Sequence, residues 1–138
     1  MSYRNRSMLG VTLLEIMLVL AIAGMIVVMS IRYYQSASIS SQTNSIIQQI
    51  VGIVAAEETA AQSGKYLSNA ELVTAKLLPD NAFNTPWGTS MTVTAPSTGG
   101  FLIDIPNTPT TVCTGLTARF KSNERMKLDG TCKTLTYT

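Results

Sequence analysis

The 138-residue sequence contains no histidine, and charged residues make up only 13% of it. Histidine is the most frequent general base in enzymes and the most frequent metal ligand, so its absence excludes histidine-based catalytic triads and zinc hydrolases. Soluble domains carry about 25% charged residues, so apolar residues must be concentrated somewhere in this chain. The length suits one domain and excludes a large multidomain enzyme.

The charges that are present nearly balance. Ten Lys and Arg against eight Asp and Glu give a net charge of +2. A protein whose whole surface binds nucleic acid or anionic lipid would carry a larger positive excess. The function therefore has to be sought in local patterns.

The longest apolar run extends from Val11 to Ile31 and matches a membrane span. Its twenty-one residues would form a helix about 31 Å long, the thickness of the hydrocarbon core of a bilayer. Four of them are not apolar: Thr12, Glu15, Gly24 and Ser30. Arg4 and Arg6 precede the run without an acidic residue, so the positive-inside rule predicts a cytoplasmic N-terminus and export of the rest.

Two other interpretations fit this run. One is a lone membrane anchor. The other is a secretory signal peptide, cleaved at the Ala-x-Ala motif of Ala21 and Ala23. The apolar residues continue beyond Gly24, however, whereas a signal peptide ends its apolar stretch before the cleavage site. This continuation favours a segment that remains in the protein.

Glu15 places a carboxylate inside the apolar run. An acid in a membrane segment is costly, so it is by default functional and needs a partner. If the chain were cleaved after Gly10, the new ammonium on Val11 would lie one helical turn from Glu15, in the same molecule or on a neighbouring helix. Glu15 would then also lie in the first helical turn, where the helix dipole favours an anion. The alternative is that Glu15 lies near the membrane interface and stays hydrated.

Residues 10–15 (GVTLLE) and the apolar stretch after them resemble the class III signal of type IV prepilins and of their pseudopilin relatives. A short basic leader ends in glycine, the apolar segment follows the cleavage site, and glutamate occupies the fifth mature position. The resemblance implies that prepilin peptidase cleaves between Gly10 and Val11 and methylates the Val11 amine. It also implies that Glu15 pairs with the Val11 amine of an adjacent subunit during assembly on an inner-membrane platform.

The subclass that the chain resembles is that of the type IVb pilins. Many type IVa pilins begin with Phe and carry a proline near the end of the membrane segment. This chain has Val11 and Arg32 at those positions and no proline before Pro79. Its ten-residue leader is shorter than in most type IVb pilins.

The pattern after the apolar run predicts that the helix continues to Gly64. Residues of one face recur at three- and four-residue spacing: Ile39, Thr43, Ile46, Ile47, Ile50, Ile53 and Val54. No proline interrupts Val11 to Gly64, so we expect one helix of about 53 residues, roughly 80 Å long. Half of such a helix would protrude from a compact body and would need lipid or the helices of sister subunits around it.

Local patterns after Gly64 predict a small mixed head. Ser68 and Glu71 form a capping box that opens a short helix ending before Pro79. A turn follows at Pro86, Trp87 and Gly88, with Trp87 as a buried anchor. Two strands are expected next, at Met91 to Thr94 and at Gly100 to Ile105, joined by a turn at Ser97, Thr98 and Gly99. The last elements are a helix within residues 111–122, with Val112, Leu116 and Phe120 on one face, and a strand within residues 131–138.

These patterns and the resemblance together predict an α+β fold of the type IV pilin kind, a long N-terminal α-helix packed on a small antiparallel β-sheet head. The expected organisation has four parts: a prepilin leader (residues 1–10), a transmembrane and assembly half of the helix (11–31), an amphipathic half (32–64), and a globular head with an αβ-loop, the sheet and a disulfide-bounded C-terminal region (65–138).

Cys113 and Cys132 are the two cysteines of the sequence, and both lie in the part predicted to be exported. In an oxidising compartment a single intramolecular disulfide is the default for such a pair. It would stabilise the C-terminal segment by about 3 kcal/mol, and two cysteines without further ligands do not make a metal site. The resemblance implies that the disulfide-bounded segment is the variable region displayed on the fibre surface.

Basic residues gather in and around this loop. They are Arg119, Lys121, Arg125, Lys127 and Lys133, against Glu124 and Asp129, a local balance of +3. The first four are candidates for a surface that binds DNA, anionic glycans or acidic patches on other subunits. The alternative is a solvated face, since no set of stacking aromatic residues accompanies them.

The leading hypothesis is a structural subunit of a type IV pilus, with no enzyme activity, cofactor or metal. Its expected partners are further copies of the chain in a helical filament, prepilin peptidase and the assembly platform. We expect it in the inner membrane before assembly and in an extracellular pilus afterwards.

The alternatives are a pseudopilin of a type II secretion system, a minor pilin that binds DNA or a host ligand, and a membrane-anchored enzyme. The enzyme is disfavoured because no nucleophile and base pair or phosphate-binding glycine loop is visible. The calcium site of major pseudopilins would need six or more oxygen ligands, and Asp129 stands almost alone.

Overall fold

The structure, a computed structural model, describes residues 5–96 and 99–138, with side chains from residue 12 onwards. Within these ranges the helices are α1 (Asn5–Ala61), α2 (Asn69–Thr74) and α3 (Thr110–Phe120), with a 3-10 turn at Asp80–Phe83. The strands are β1 (Thr92–Thr94), β2 (Phe101–Asp104), β3 (Met126–Leu128) and β4 (Thr134–Tyr137). Contacts divide the chain into two compact units, Met1–Ser38 and Ile39–Thr138, and α1 contributes to both.

Helix α1 runs for 57 residues without a break, as the absence of proline predicts. It ends in a tight turn, in which the N–H groups of Ser63 and Gly64 donate to the carbonyls of Ala60 and Ala61 at 2.9 and 3.0 Å. Gly64 adopts a φ of +109°, a conformation that residues with a Cβ avoid. The helix therefore ends at Ala61, three residues before the predicted stop, and Gly64 closes the turn that follows it.

The second unit is built on the amphipathic face of α1. Ile46, Ile50 and Ile53 are completely buried in one cluster with apolar residues of the sheet and of α3. Each such side chain contributes about 1.5–3 kcal/mol relative to an exposed one. Ile39 and Thr43, at the N-terminal end of the predicted face, remain half-buried. Residues 46–54 therefore carry most of the packing between the helix and the head.

The sheet is antiparallel throughout, with strand order β1-β2-β4-β3. Phe101, Ile103 and Ile105 are buried on one face of the β2 region, as predicted. The Phe101 ring stacks on Tyr137 of β4 at a centroid distance of 4.7 Å and contacts Tyr66 at 5.3 Å. Aromatic pairs at such distances add about 0.5–1.5 kcal/mol beyond their burial.

The predicted capping box opens α2. The Glu71 carboxylate accepts hydrogen bonds from the backbone N–H and the hydroxyl of Ser68 at 2.9 and 3.1 Å. These bonds, with help from Lys65, lower the pKa of Glu71 to about 2. The negative charge thus stays in the first turn of the helix, where it stabilises the free N–H groups.

Asn69 joins α2 to the outer edge of β1. Its amide donates to the Met91 carbonyl at 2.8 Å, and its amide oxygen accepts from the Val93 N–H at 2.5 Å. The side chain thereby takes the place of a neighbouring strand and covers part of an edge that would otherwise be open.

Several details differ from the sequence-based expectations. Strand β3 was not predicted. Strand β4 begins only at Thr134, because Cys132 adopts a φ of +54° and lies buried before it. Trp87 is half-buried, and its indole N–H donates to the Pro106 carbonyl at 3.1 Å. The turn predicted at Ser97, Thr98 and Gly99 lies largely outside the described residues.

The fold class is as predicted. The chain is α+β, with a long N-terminal helix packed through its second half on a small four-stranded antiparallel sheet. This architecture is consistent with the pilin fold.

Candidate functional site

In the first unit, residues 12–31 of α1 expose their apolar side chains. The large ones range from Ile22, 52% exposed, to Leu14, 72% exposed. A helix of a soluble protein turns such side chains inwards, so this surface requires apolar surroundings outside the chain. Helix α1 is long and apolar enough near the N-terminus to cross a membrane.

Glu15 lies on this apolar surface. Among residues 12–96 and 99–138, no Lys or Arg comes within ion-pair distance of its carboxylate. An acid in an apolar environment is by default functional and needs a partner, and residues 12–96 and 99–138 supply no cation for it. The predicted processing residues, Gly10 and Val11, belong to the helical backbone of α1, and the surroundings of both lie outside the described part of the structure.

Cys113 and Cys132 form a disulfide, with their Cα atoms 5.6 Å apart. The predicted pairing is therefore confirmed. It connects α3 to the loop before β4, and the hydroxyl of Thr108 donates to the Cys132 carbonyl at 3.1 Å on the same side. The segment closed by the disulfide contains most of α3 and the whole of β3.

Helix α3 packs closely on α1 at one point. Val112, Leu116 and Phe120 are buried, which confirms the predicted face. Between them Gly115 lies against Thr43 of α1, and a Cβ built on Gly115 would stand 2.9 Å from the Thr43 methyl group. With Thr43 on the facing helix, any residue larger than glycine at this position would crowd that methyl group.

Arg125, one of the four candidate contact residues, interacts with other residues of the same chain. Its guanidinium lies 4.0 Å from the Glu58 carboxylate of α1 and 3.5 Å from the Tyr137 hydroxyl, which in turn donates to Glu58. The hydrogen bond with Tyr137 raises the pKa of Arg125, and the bond to Glu58 raises the pKa of Tyr137. Arg125 therefore ties the last strand to the long helix.

The other three candidates, Arg119, Lys121 and Lys127, are exposed. The described part of the chain offers none of them an ion pair or a side-chain hydrogen bond. Lys121 and Lys127 line the same groove, between the end of α3 and the edge of β3, and Arg119 does not contribute to it. The structure thus brings two of the four predicted residues together as an available basic pair.

Glu57 is a buried acid that the sequence analysis missed. Its side chain is completely buried; one carboxylate oxygen accepts from the Leu67 N–H at 2.9 Å, and the other finds no hydrogen-bond partner among the residues that the structure describes. Burial raises the pKa of Glu57, against the opposing effect of the Leu67 bond. The helical spacing gave a signal, because Glu57 lies one turn beyond Ile53 and Val54 on the buried face.

The described residues contain no group of three or more side chains that suits a metal ion. Comparison of the chain with models of known protein families, with characterised proteins and with solved structures gives no match. The function is therefore argued from the residues and their geometry.

Proposed function

We propose that the protein is a structural subunit of a type IV pilus, cleaved after Gly10, N-methylated at Val11 and polymerised through α1 into an extracellular filament. The observation that carries the proposal is the contrast along α1. Its second half buries Ile46, Ile50 and Ile53 in the head, whereas residues 12–31 expose every large apolar side chain. Lipid surrounds this segment before assembly, and the helices of other subunits surround it in the filament.

In the filament, Glu15 sets how far neighbouring α1 helices are displaced along the fibre axis. Cleavage after Gly10 creates an ammonium on Val11, and in a bundle of parallel helices displaced along the fibre that ammonium reaches the Glu15 carboxylate of a neighbour. Leaving one member of a buried charge pair without its partner costs about 3–5 kcal/mol. A subunit that joins in the wrong register leaves its Glu15 unpaired and is destabilised by this amount, whereas a correctly placed subunit is not.

The proposal is tested with Glu15→Ala and Gly10→Leu. We expect Glu15→Ala to be processed and to stay in the membrane, but to form no filaments, because the charge pair is gone. We expect Gly10→Leu to remain unprocessed, because a bulky residue replaces the glycine at the cleavage site. Immunoblots of membranes measure processing, and electron microscopy of sheared surface material measures filaments.

Glu124→Ala is the matched control. Glu124 is an exposed acid of the head with no ion pair or hydrogen bond among the described residues, so its loss should change neither processing nor assembly. Normal filaments from Glu15→Ala would overturn the charge-pairing mechanism.

The basic pair of Lys121 and Lys127 is the surface best placed for a contact between subunits. Replacing both with Glu should reduce filament yield without unfolding the head, because neither side chain makes an ion pair or a hydrogen bond with another described residue. Arg125 is unsuitable for this test, since its replacement would also remove the contact with Glu58. Loss of DNA binding with normal filaments would instead favour a minor pilin that captures nucleic acid.

A pseudopilin of a type II secretion system is the second candidate. The turn at Pro86, Trp87 and Gly88 resembles the one before the sheet in pseudopilins and also in type IVb pilins, and in this chain the Gly88 N–H closes it on the Thr85 carbonyl at 3.1 Å. Deletion of the gene distinguishes the two. Loss of surface filaments selects the pilus subunit, and a defect in protein secretion without any filament in the parent strain selects the pseudopilin.

A further inference from the structure

The apolar segment of α1 ends abruptly at three residues of a different kind. Ile31 is followed by Arg32, Tyr33 and Tyr34, and then by a stretch rich in Ser and Gln. Tyr33 is 80% exposed and Tyr34 75% exposed. Within the described residues none of the three makes a hydrogen bond, an ion pair or a ring contact, so the fold of the chain does not account for them.

The three side chains point to different sides of the helix. Successive residues of an α-helix are rotated by about 100°, so Arg32, Tyr33 and Tyr34 together span about 200°, more than half of the circumference. A helix that packs against one protein partner would carry its contact residues in a stripe at three- and four-residue spacing. A ring of consecutive residues suits surroundings that are the same on every side.

The chemistry of the ring suits the boundary between lipid and water. Tyrosine combines an apolar ring with a hydroxyl and is enriched where acyl chains meet headgroups. A long arginine side chain near such a boundary keeps its stem in lipid and places its charge beside the phosphates. No residue from Thr12 to Ile31 combines these properties.

The spacing along α1 agrees with this placement. With 1.5 Å per residue, the apolar segment from Val11 to Ile31 covers about 31 Å, close to the hydrocarbon thickness. Arg6 to Tyr34 covers about 42 Å, the thickness of a bilayer including its headgroups. These lengths match a helix whose basic leader and Arg-Tyr-Tyr ring lie at opposite boundaries of one bilayer.

We propose that Arg32, Tyr33 and Tyr34 form an interfacial anchor that binds the phospholipid headgroup layer on the side of the membrane away from the N-terminus. The anchor rests on the proposed function in that α1 must span the membrane before assembly. It fixes the depth of the helix, with Glu15 about 26 Å from Arg32 along the axis. Glu15 is thereby held within about 5 Å of the opposite boundary, where its charge is far less costly than at the bilayer centre.

The test measures depth with tryptophan reporters in the full chain. Trp87→Phe removes the one native tryptophan. In this background, Tyr33→Trp reports on the anchor, and Val27→Trp reports on a position about 9 Å deeper. The protein is reconstituted into vesicles of phosphatidylethanolamine and phosphatidylglycerol whose acyl chains are brominated either near the headgroup or near the methyl end.

We expect the reporter at position 33 to be quenched most by the shallow bromines and the reporter at position 27 by the deep ones. Replacing Tyr34 and Tyr33 with Ala, together with Arg32→Ala, should lower the ratio of deep to shallow quenching at position 27, because the helix no longer has a fixed depth. The matched control replaces Gln35, Ser36 and Ser38 with Ala and should leave that ratio unchanged.

The outcomes separate the anchor from the proposed function. Three results would overturn the anchor and leave the membrane stage intact. The first is that deep bromines quench the reporter at position 33 most, and the second is that this reporter is not quenched while the one at position 27 is quenched strongly. The third is an unchanged ratio of deep to shallow quenching in the triple variant. If neither reporter is quenched by either lipid, α1 does not enter the bilayer, and the membrane stage of the proposed function fails with the anchor.

Discussion

Replacing both Cys113 and Cys132 with Ala tests how far the C-terminal segment depends on its covalent closure. The disulfide joins residues 19 apart in sequence and encloses β3. In the chain-entropy model, a loop of this size restricts the unfolded chain by about 3 kcal/mol. The Cys132 side chain is also completely buried, so its truncation leaves a small cavity that adds to the loss.

The head should still fold without the disulfide. Leu116 and Phe120 remain buried against the core, and β3 remains paired with β4. We therefore expect the same native structure with a free energy of unfolding lower by about 3 kcal/mol.

The assay is urea unfolding of the full chain in detergent micelles, followed by tryptophan fluorescence. Trp87 is the sole tryptophan, and its hydrogen bond to the Pro106 carbonyl makes its emission sensitive to unfolding of the head. A reducing agent should destabilise the wild type by the loop-closure part of this loss alone, because the reduced cysteines leave no cavity, and it should leave the double variant unchanged. A loss below about 1 kcal/mol, or a reductant effect on the variant, would refute the reasoning.

Three further predictions concern the packing of α1, each measured by the same unfolding assay. Because burial raises the pKa of Glu57, its contribution to stability is present below the unfolded pKa of 4.5 and lost as pH rises through the native pKa. The free energy of unfolding of Glu57→Gln should therefore rise relative to that of the wild type between acid and neutral pH, by at most about 1.4 kcal/mol per pH unit. A difference that does not change with pH would contradict this. Gly115→Ala should destabilise the wild type by about 1–3 kcal/mol. In a Thr43→Ser background, which lacks the crowding methyl group, the same substitution should be neutral or stabilising. Equal effects in both backgrounds would argue against the close contact. Tyr137→Phe should cost about 1 kcal/mol through the lost hydrogen bond to Glu58, and a variant as stable as the wild type would show that this bond contributes nothing.

Local signals in the sequence predicted much of the fold. The spacing of Ile46, Ile50 and Ile53 predicted the buried face of α1, and the Ser68 to Glu71 spacing predicted the start of α2. These features depend on residues within a few turns of each other. The residues of α3 were predicted for the same reason.

Features that depend on distant residues were missed. Strand β3 has three residues with Lys127 in the middle, and it exists because β4 pairs with it from the end of the chain. Glu57 was missed because a charged residue at a core position is explained only by the Leu67 N–H that satisfies it. Arg125 was predicted as a free surface charge, whereas Glu58, far away in sequence, binds it.

The candidate site was predicted unevenly. The disulfide and the exposed apolar surface of residues 12–31 follow from composition and are present in the structure. Processing at Gly10 and Val11 and the pairing of Glu15 depend on other molecules, so they stay predictions.

The most direct test of the central claim is the mass of the N-terminal peptide of the protein recovered from sheared surface filaments. The proposed function predicts a chain that begins with N-methylated Val11 and retains the whole apolar segment. A chain that begins at Met1, or one cleaved after Ala23, would contradict it, because neither presents the Val11 ammonium that Glu15 requires.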